Sequence, residues 1–216
     1  MAKSVTYEGK DVSVRWDGAL CIHVGECGRA DCALFQGGRD PWCAPDEATP
    51  AEVAEVVQRC PTGALSYERH DGGPTEAVPE RNQIFVTNQG PLYLRGNLKI
   101  QGASPEQAGL KTRAALCRCG ASSRKPFCDN SHEKADFDDR GAVGSMAEVA
   151  GEVGPGELAV TPATNGPLLL RGPMQIVAAS GRVAWEGSKC ALCRCGQSKN
   201  KPFCDGSHLK VGFQAD

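Results

Sequence analysis

The chain has 216 residues, with 24 Lys and Arg against 26 Asp and Glu, and its formal net charge is −2. This near balance argues against a nucleic-acid-binding protein that works by neutralising phosphates. No apolar run reaches the roughly 18–20 residues that span a bilayer, and Met1–Tyr7 lacks the apolar core of a secretory signal. We therefore expect a cytoplasmic protein that binds neither nucleic acid nor membrane.

Twelve cysteines stand out in a chain that has 26 Gly, 14 Pro and few aromatic residues. Such a composition buries a modest hydrophobic core, so the fold needs reinforcement. In a reducing compartment, clustered cysteines form metal sites more often than disulfides. The cysteines therefore predict metal centres.

The N-terminal part predicts a strand, a helix and a second strand. Alternating apolar residues over 12–16 indicate a strand that leads to Cys21. Thr49 is followed by Pro and, three residues after the cap, by Glu, which predicts a helix start. The helix is expected to end at Cys60, and residues 64–67 predict a returning strand.

This order of elements resembles half of a bacterial ferredoxin. The segments CIHVGEC at 21–27 and CPTGAL at 60–65 resemble the divergent single-cluster ferredoxin family. An ordinary ferredoxin would place one more cysteine at position 24, where this chain has Val24. The ligands that the resemblance implies for one iron–sulfur cluster are Cys21, Cys27 and Cys60.

The missing thiolate leaves two cluster compositions open. A [3Fe–4S] cluster needs no further protein ligand and is favoured, whereas a [4Fe–4S] cluster needs a substitute at the fourth iron. Candidates for the substitute are Cys32, Cys43, His23 or water. The more ordinary interpretation of Cys32 and Cys43 is that each is a small buried residue, or that they pair with each other.

An internal repeat with an offset of 76 residues fills the rest of the chain. GPLYLRG at 90–96 recurs as GPLLLRG at 166–172, and ALCRCG at 115–120 recurs at 191–196. One constant offset indicates two copies of one structural unit, which we call the first and second units. The predicted domains are 1–70, 80–145 and 150–216, joined by Gly- and Pro-containing stretches at 71–80 and 141–156.

Each unit contains the pattern Cys-x-Cys-x₈-Cys-x₃-His. In an extended chain, Cys-x-Cys places both thiols on one face. A Cys and a His four residues apart share a face of a helical turn, and the Pro-Phe pair before that Cys favours a turn into this helix. The predicted metal ligands are Cys117, Cys119, Cys128 and His132 in the first unit and Cys193, Cys195, Cys204 and His208 in the second.

The segment CDGSH at 204–208, preceded by CRC at 193–195 and KPF at 201–203, resembles the CDGSH iron–sulfur domain family. The resemblance implies one [2Fe–2S] cluster in each unit, bound by three Cys and one His. The first unit has Asn130 where the motif has Gly, and Asn tolerates a left-handed backbone better than other non-Gly residues. The competing interpretation is a Cys₃His zinc site.

In this family two units pair, so two motifs in one chain imply a monomer that contains an internal pseudo-dimer. The expected fold class is α+β, with a small ferredoxin-like α+β N-terminal domain and two β-rich CDGSH units. The strands predicted in the two units are Asn82–Thr87, Leu92–Leu94, Leu158–Val160, Leu168–Leu170 and Arg182–Trp185.

The ligand set also indicates chemistry. An imidazole in place of a thiolate removes one negative charge and raises the reduction potential, and its protonation competes with iron. Arg118 and Arg194, with Lys125 and Lys201, are candidates for hydrogen bonds to sulfur or for stabilising the reduced state, and otherwise are solvated charges. Cys190 is expected to pack rather than to bind metal.

No catalytic constellation and no nucleotide fingerprint is present, so we do not expect an enzyme. The predicted function is one-electron transfer between a reductase and an acceptor protein. The alternatives are iron–sulfur storage, delivery to an apo iron–sulfur acceptor, or redox or pH sensing. A structural metalloprotein with zinc in both units is a third possibility.

Overall fold

The computed structural model describes residues 4–144 and 154–215, and the protein is a mixed α+β structure in which strands dominate. The described strands are β1 Ser4–Tyr7, β2 Val12–Asp17, β3 Leu65–Arg69, β4 Gln83–Val86, β5 Leu92–Arg95, β6 Leu98–Ile100, β7 Arg113–Leu116, β8 Leu158–Pro162, β9 Leu168–Val177 and β10 Val183–Leu192. The α-helices are α1 Pro50–Gln58 and α2 Ser207–Lys210, and 3₁₀ helices cover Glu26–Arg29, Pro45–Glu47, Ala108–Lys111 and Ser131–Glu133.

The N-terminal domain is a three-stranded antiparallel sheet, β1-β2-β3, with α1 packed against it. Its predicted elements are confirmed. Thr49 forms a capping box, because its hydroxyl accepts a hydrogen bond from the Glu52 amide while the Glu52 carboxylate accepts one from the Thr49 amide. Val53, Val56 and Val57 bury the apolar face of the helix.

The two repeat units exchange strands in one seven-stranded sheet. The first half of β9 pairs with β8 of its own unit, and its second half runs parallel to β4 of the first unit. In return, β6 of the first unit runs parallel to β8 of the second. Because each unit completes its sheet with a strand of the other, the two units form a pseudo-dimer within one chain.

The core of the pair is built from the inward side chains of these shared strands. The largest side chains that are less than 2% exposed include Ile84, Leu92, Leu94, Leu158, Leu168, Leu170, Met174 and Ile176. Alternate residues of β5 and of the first half of β9 point inward, which is the pattern of a strand with one buried face.

The sequence-based strand bounds are too short in the second unit. The predicted strands at 168–170 and 182–185 extend to Val177 and Leu192 as β9 and β10. Strand β7 was not predicted, because Arg-Ala-Ala-Leu has little of the β-branched and aromatic content on which strand prediction relies. Most of the predicted connection Gly141–Gly156 lies outside the described residues.

The N-terminal domain is docked on the first unit. Arg113 of β7 is 3% exposed, and its guanidinium donates to the carbonyl oxygens of Cys60 at 2.6 Å and Leu65 at 3.0 Å. The same guanidinium pairs with the Glu76 carboxylate at 2.8 Å. Glu76 belongs to the stretch predicted as a linker. The ion pair with Arg113 therefore fixes this linker against the first unit. No helix within 4–144 or 154–215 is long and apolar enough to span a bilayer.

Candidate metal centres

The predicted ligands of each unit come together as two pairs. In the first unit, Cys117 Sγ lies 3.7 Å from Cys119 Sγ, and Cys128 Sγ lies 3.5 Å from His132 Nδ1. In the second unit the Cys193–Cys195 and Cys204–His208 distances are 3.7 and 3.4 Å. The two copies therefore have the same ligand geometry.

These separations fit metal coordination. A tetrahedral metal with bonds of about 2.3 Å to sulfur and about 2.0 Å to nitrogen holds such ligands roughly 3.6–3.8 Å apart. Each pair thus fits the ligands of one tetrahedral metal. Among the described residues, however, no three His, Cys, Asp or Glu side chains are grouped closely enough to hold one ion. The described donors of each unit are thus grouped in twos.

A hairpin of the chain, rather than a continuous helix, positions the ligands. The Cys117 amide donates to the Pro126 carbonyl at 2.8 Å, and the Cys128 amide donates to the Ala115 carbonyl at 2.9 Å. The prediction that the third Cys and the His share a helical turn is wrong for the cysteine. The short helices begin at Ser131 and Ser207, after the cysteine, and only the histidine lies on them.

The aspartate after the third cysteine ties the ligand loop together. The Asp129 carboxylate accepts hydrogen bonds from the amides and hydroxyls of Ser123 and Ser131. Partial burial opposes ionisation, but these hydrogen bonds outweigh it and lower the pKa of Asp129. Asn130 adopts the left-handed conformation with φ of 68°, as the sequence predicted for this position, and Gly206 matches it at 83°.

Burial holds several of the thiols in the protonated form. It raises the pKa of Cys128 to about 11 and also raises the pKa of Cys193 and of Cys204. The hydrogen bond between Cys119 and Cys117 lowers the pKa of Cys117. Because a metal must displace the remaining thiol protons, we expect metal affinity to rise with pH.

The arginines between the paired cysteines are buried and donate to backbone oxygens. Arg118 and Arg194 are each 1% exposed, which excludes a solvated surface charge. Arg118 donates to the carbonyls of Gly90 and Thr87 and pairs with Asp139. The described hydrogen bonds of Arg194 go to backbone carbonyls at the equivalent turn and near the C-terminus.

The lysines also bind backbone oxygen. Lys125 Nζ donates to the Ser122 carbonyl, and Lys201 Nζ donates to the Ser198 carbonyl at 2.7 Å. Lys125 lies 5.9 Å from the ring centre of Phe213, which belongs to the other unit. Both lysines therefore brace the loop between the second and third cysteines.

The ligand loops of the two units touch each other at two glycines. A Cβ atom on Gly120 would lie 2.6 Å from the Cys195 carbonyl oxygen, and a Cβ on Gly196 would lie 2.4 Å from that of Cys119. Both glycines have positive φ, 85° and 78°. The contact is reciprocal. The sequence signal for this contact is the glycine that follows Cys-Arg-Cys in both copies. No role was predicted for that glycine.

Three cysteines of the N-terminal domain converge on a separate cavity. Cys21, Cys27 and Cys60 line a space of about 310 Å³, together with Trp16 and other apolar groups. The pKa of Cys27 is raised first by burial and then by the Cys60 and Cys21 thiols. The three predicted ligands are therefore brought together.

The structure separates the candidates for a fourth ligand. His23 lines the cavity, and its Nδ1 lies 3.9 Å from Cys21 Sγ. Neither Cys32 nor Cys43 is among the described residues that line it. Both are free thiols, so the predicted alternative of a Cys32–Cys43 pair does not occur, and Cys43 is buried as expected. Cys190 packs against Met174, with 3.7 Å between the sulfur atoms.

The N-terminal cavity adjoins the ligands of the first unit. Ile22, which lines the cavity, packs against Cys128 and Ala115. The Asn130 side-chain amide donates to the Ile22 carbonyl at 2.8 Å. Tyr93 packs on this cluster, and burial, Cys128 and Cys60 together raise its pKa to about 12. Asn130, the one departure from the CDGSH motif, thus holds the N-terminal loop against the first unit.

Comparisons with known proteins agree with this architecture. A divergent 4Fe-4S mono-cluster model matches residues 7–70, and an iron-binding zinc finger CDGSH type model matches 89–133 and 165–209. The uncharacterized protein YjdI, from Escherichia coli K12 and from strain O157:H7, is 44% identical over 64 residues, which cover 30% of this chain and 83% of YjdI. No solved structure matches the chain. The chain is therefore an iron–sulfur protein that belongs to the CDGSH family and carries an N-terminal divergent 4Fe–4S mono-cluster domain.

Proposed function

We propose that this protein holds three iron–sulfur clusters and transfers single electrons between partner proteins. Each CDGSH unit takes one [2Fe–2S] cluster on its three Cys and one His. The arrangement of the ligands as two pairs supports a two-metal centre over a single zinc ion, because each pair spans one tetrahedral metal.

The observation that best supports electron transfer as the function is the reciprocal contact between the ligand loops of the two units. Iron–sulfur clusters, when bound, supply one-electron redox chemistry. The backbone of Gly120 packs directly on Cys195, and that of Gly196 packs on Cys119. Each contact joins a ligand of one unit to the loop of the other, so the protein provides a short path between the two ligand sets.

The N-terminal domain extends the path. Ile22 packs on Cys128 and also lines the cavity that contains Cys21, Cys27 and Cys60. We place a third cluster in this cavity, either a [3Fe–4S] cluster on the three thiols or a [4Fe–4S] cluster with His23 or water at the fourth iron. The three sites then follow one another in the order N-terminal domain, first unit, second unit.

Anaerobic redox titration followed by electron paramagnetic resonance tests the proposal. We expect each cluster to take up one electron reversibly, with no loss of iron or acid-labile sulfide. An oxidised [3Fe–4S] cluster is paramagnetic, whereas oxidised [2Fe–2S] and [4Fe–4S]²⁺ clusters are silent, so the same spectra settle the N-terminal composition. Colourless, sulfide-free protein after oxygen-protected preparation would contradict the proposal.

Replacing His208 with Cys is expected to lower the reduction potential of the second centre by on the order of 100 mV. The reason is that a thiolate adds one negative charge that the imidazole lacks. Protein-film voltammetry measures the change. His132→Cys provides the matched variant, and it should shift the other CDGSH centre. If neither variant changes a potential, the histidines are not ligands.

Delivery of a cluster to an apo acceptor is the second candidate function. Cys204 is partly exposed, whereas the equivalent Cys128 lies under Ile22 and is 3% exposed. The second unit would therefore be the source. Mixing the loaded protein with an apo-ferredoxin tests this: delivery moves iron and sulfide to the acceptor, while electron transfer leaves both in place.

A further inference from the structure

The first unit uses one face to bind the N-terminal domain. Besides the Arg113 bonds, the side-chain amide of Gln107 donates to Asp17 at 2.9 Å, and Arg124 donates to the Ala19 carbonyl at 2.9 Å. The contacts of Asn130 and Tyr93 at Ile22 complete this face. We call it the covered face.

The second unit has the same face, but its residues differ. The internal repeat relates the polar contact residues Gln107, Arg113, Arg124 and Asn130 to Val183, Lys189, Asn200 and Gly206, and it relates Tyr93 to Leu169. All four hydrogen-bonding side chains are thus replaced. The second unit therefore lacks the polar groups that hold the N-terminal domain, and we call this counterpart the open face.

The open face exposes an apolar side chain. Leu169 is 38% exposed, and it is one of six large hydrophobic residues that are exposed in the described chain. A single exposed apolar residue needs no explanation by itself, but Leu169 occupies the position of Tyr93, which packs on Ile22 of the N-terminal domain in the first unit. Cys204, a predicted ligand, is also partly exposed on this side.

The open face carries positive charge beside this apolar residue. Lys189 of β10 and Arg171 of β9 are directly paired across the two strands, and both are exposed. Residues 1–70, which bind the covered face, contain seven basic and eleven acidic residues. The equivalent face of the first unit therefore already binds a ferredoxin-like domain of acidic composition.

We infer that the open face of the second unit is the docking surface for an acidic, ferredoxin-type electron-transfer protein. The partner takes the place that the N-terminal domain occupies on the first unit. Leu169 provides the apolar contact, and the neighbouring Lys189 and Arg171 attract the acidic surface of the partner. The purpose that we assign to this surface rests on the proposed electron transfer. Binding of the partner can be measured independently of that function.

The test uses the loaded full-length protein and a small, acidic, single-cluster bacterial ferredoxin as the probe. Stopped-flow spectroscopy measures the second-order rate of electron transfer from the reduced probe, and calorimetry measures binding of the oxidised probe. We expect Lys189→Glu and Leu169→Glu each to lower the rate on the order of tenfold at low salt, through weaker association. Arg171→Glu is an independent variant on the same face.

Lys99→Glu is the matched control, because it makes the same change of charge at an exposed lysine on β6 of the first unit. It should leave the rate close to that of the parent. The visible spectrum of each variant checks that its clusters are in place. If the probe binds the open face without passing electrons, the docking surface stands and the proposed function fails.

Three results would overturn the docking surface. One is a rate and an affinity that the open-face variants leave unchanged. Another is an equal loss in Lys99→Glu, which would indicate attraction by net charge alone. The third is a dimer of this chain, detected by analytical ultracentrifugation, that the same open-face variants dissociate, since a second copy would then occupy the surface.

Discussion

Gly120→Ala is expected to impair the metal centres of both CDGSH units, although the substitution lies in only one of them. The added methyl group would meet the Cys195 carbonyl oxygen at 2.6 Å, so the ligand loop of the second unit must move. The residue also has φ of 85°, which disfavours any side chain. We expect a loss of about 2–4 kcal/mol in the free energy of unfolding and a joint fall in iron and acid-labile sulfide at both sites.

Gly196→Ala should reproduce this result from the other side, because its Cβ would lie 2.4 Å from the Cys119 carbonyl oxygen. Gly206→Ala is the control. Gly206 has a similar φ of 83°, but no atom lies within 4 Å of the position that a Cβ would take, so only the left-handed strain of about 1–2 kcal/mol applies. Loss of the cluster from the substituted unit alone would show that the two loops are independent.

Arg113→Ala is expected to release the N-terminal domain from the first unit. The substitution leaves the partly buried Glu76 without its ion-pair partner and removes the donor that satisfies the carbonyls of Val57, Cys60 and Leu65. Breaking one side of a buried ion pair costs about 3–5 kcal/mol. Urea unfolding should show this loss, and hydrogen exchange in α1 should become faster.

Lys189→Ala is the matched control for the arginine, since the internal repeat relates the two positions and Lys189 is exposed. Its effect on the free energy of unfolding should stay within about 0.5 kcal/mol. Arg113 donates to the carbonyl of Cys60, a predicted cluster ligand. We therefore expect Arg113→Ala to weaken the N-terminal cluster signal before the two CDGSH signals. An N-terminal signal that outlasts both CDGSH signals in this variant would contradict the assigned contact.

The candidate ligand sets were predictable because their pattern is local in sequence. The constant offset of 76 residues picked out both Cys₃His sets, and a capping box marked the start of α1. The predicted Cys ligands of the N-terminal domain also converge, whereas the sequence left His23, Cys32, Cys43 and water open as the substitute ligand. Only the shape of the cavity separates His23 from Cys32 and Cys43.

The remaining features depend on contacts between distant parts of the chain. The parallel pairing of β4 with β9 joins residues more than ninety positions apart, and no local pattern encodes it. Arg118 looked like a ligand-side charge because it stands between two thiols. Its side chain instead reaches the turn at Thr87 and Gly90, which only the folded hairpin brings near. The docking of Arg113 was missed for the same reason.

The strand exchange has a consequence for how the two halves can evolve. In a homodimer, a mutation that builds a binding site on one subunit appears on the other as well. Here β4, β6, β8 and β9 interlace two halves encoded by a single polypeptide, so each half can change alone. The first half carries Arg113 and Asn130 where the second carries Lys189 and Gly206. A duplicated and fused protein can thereby bind different partners at its two ends. Electrons would then pass between the two units in one direction.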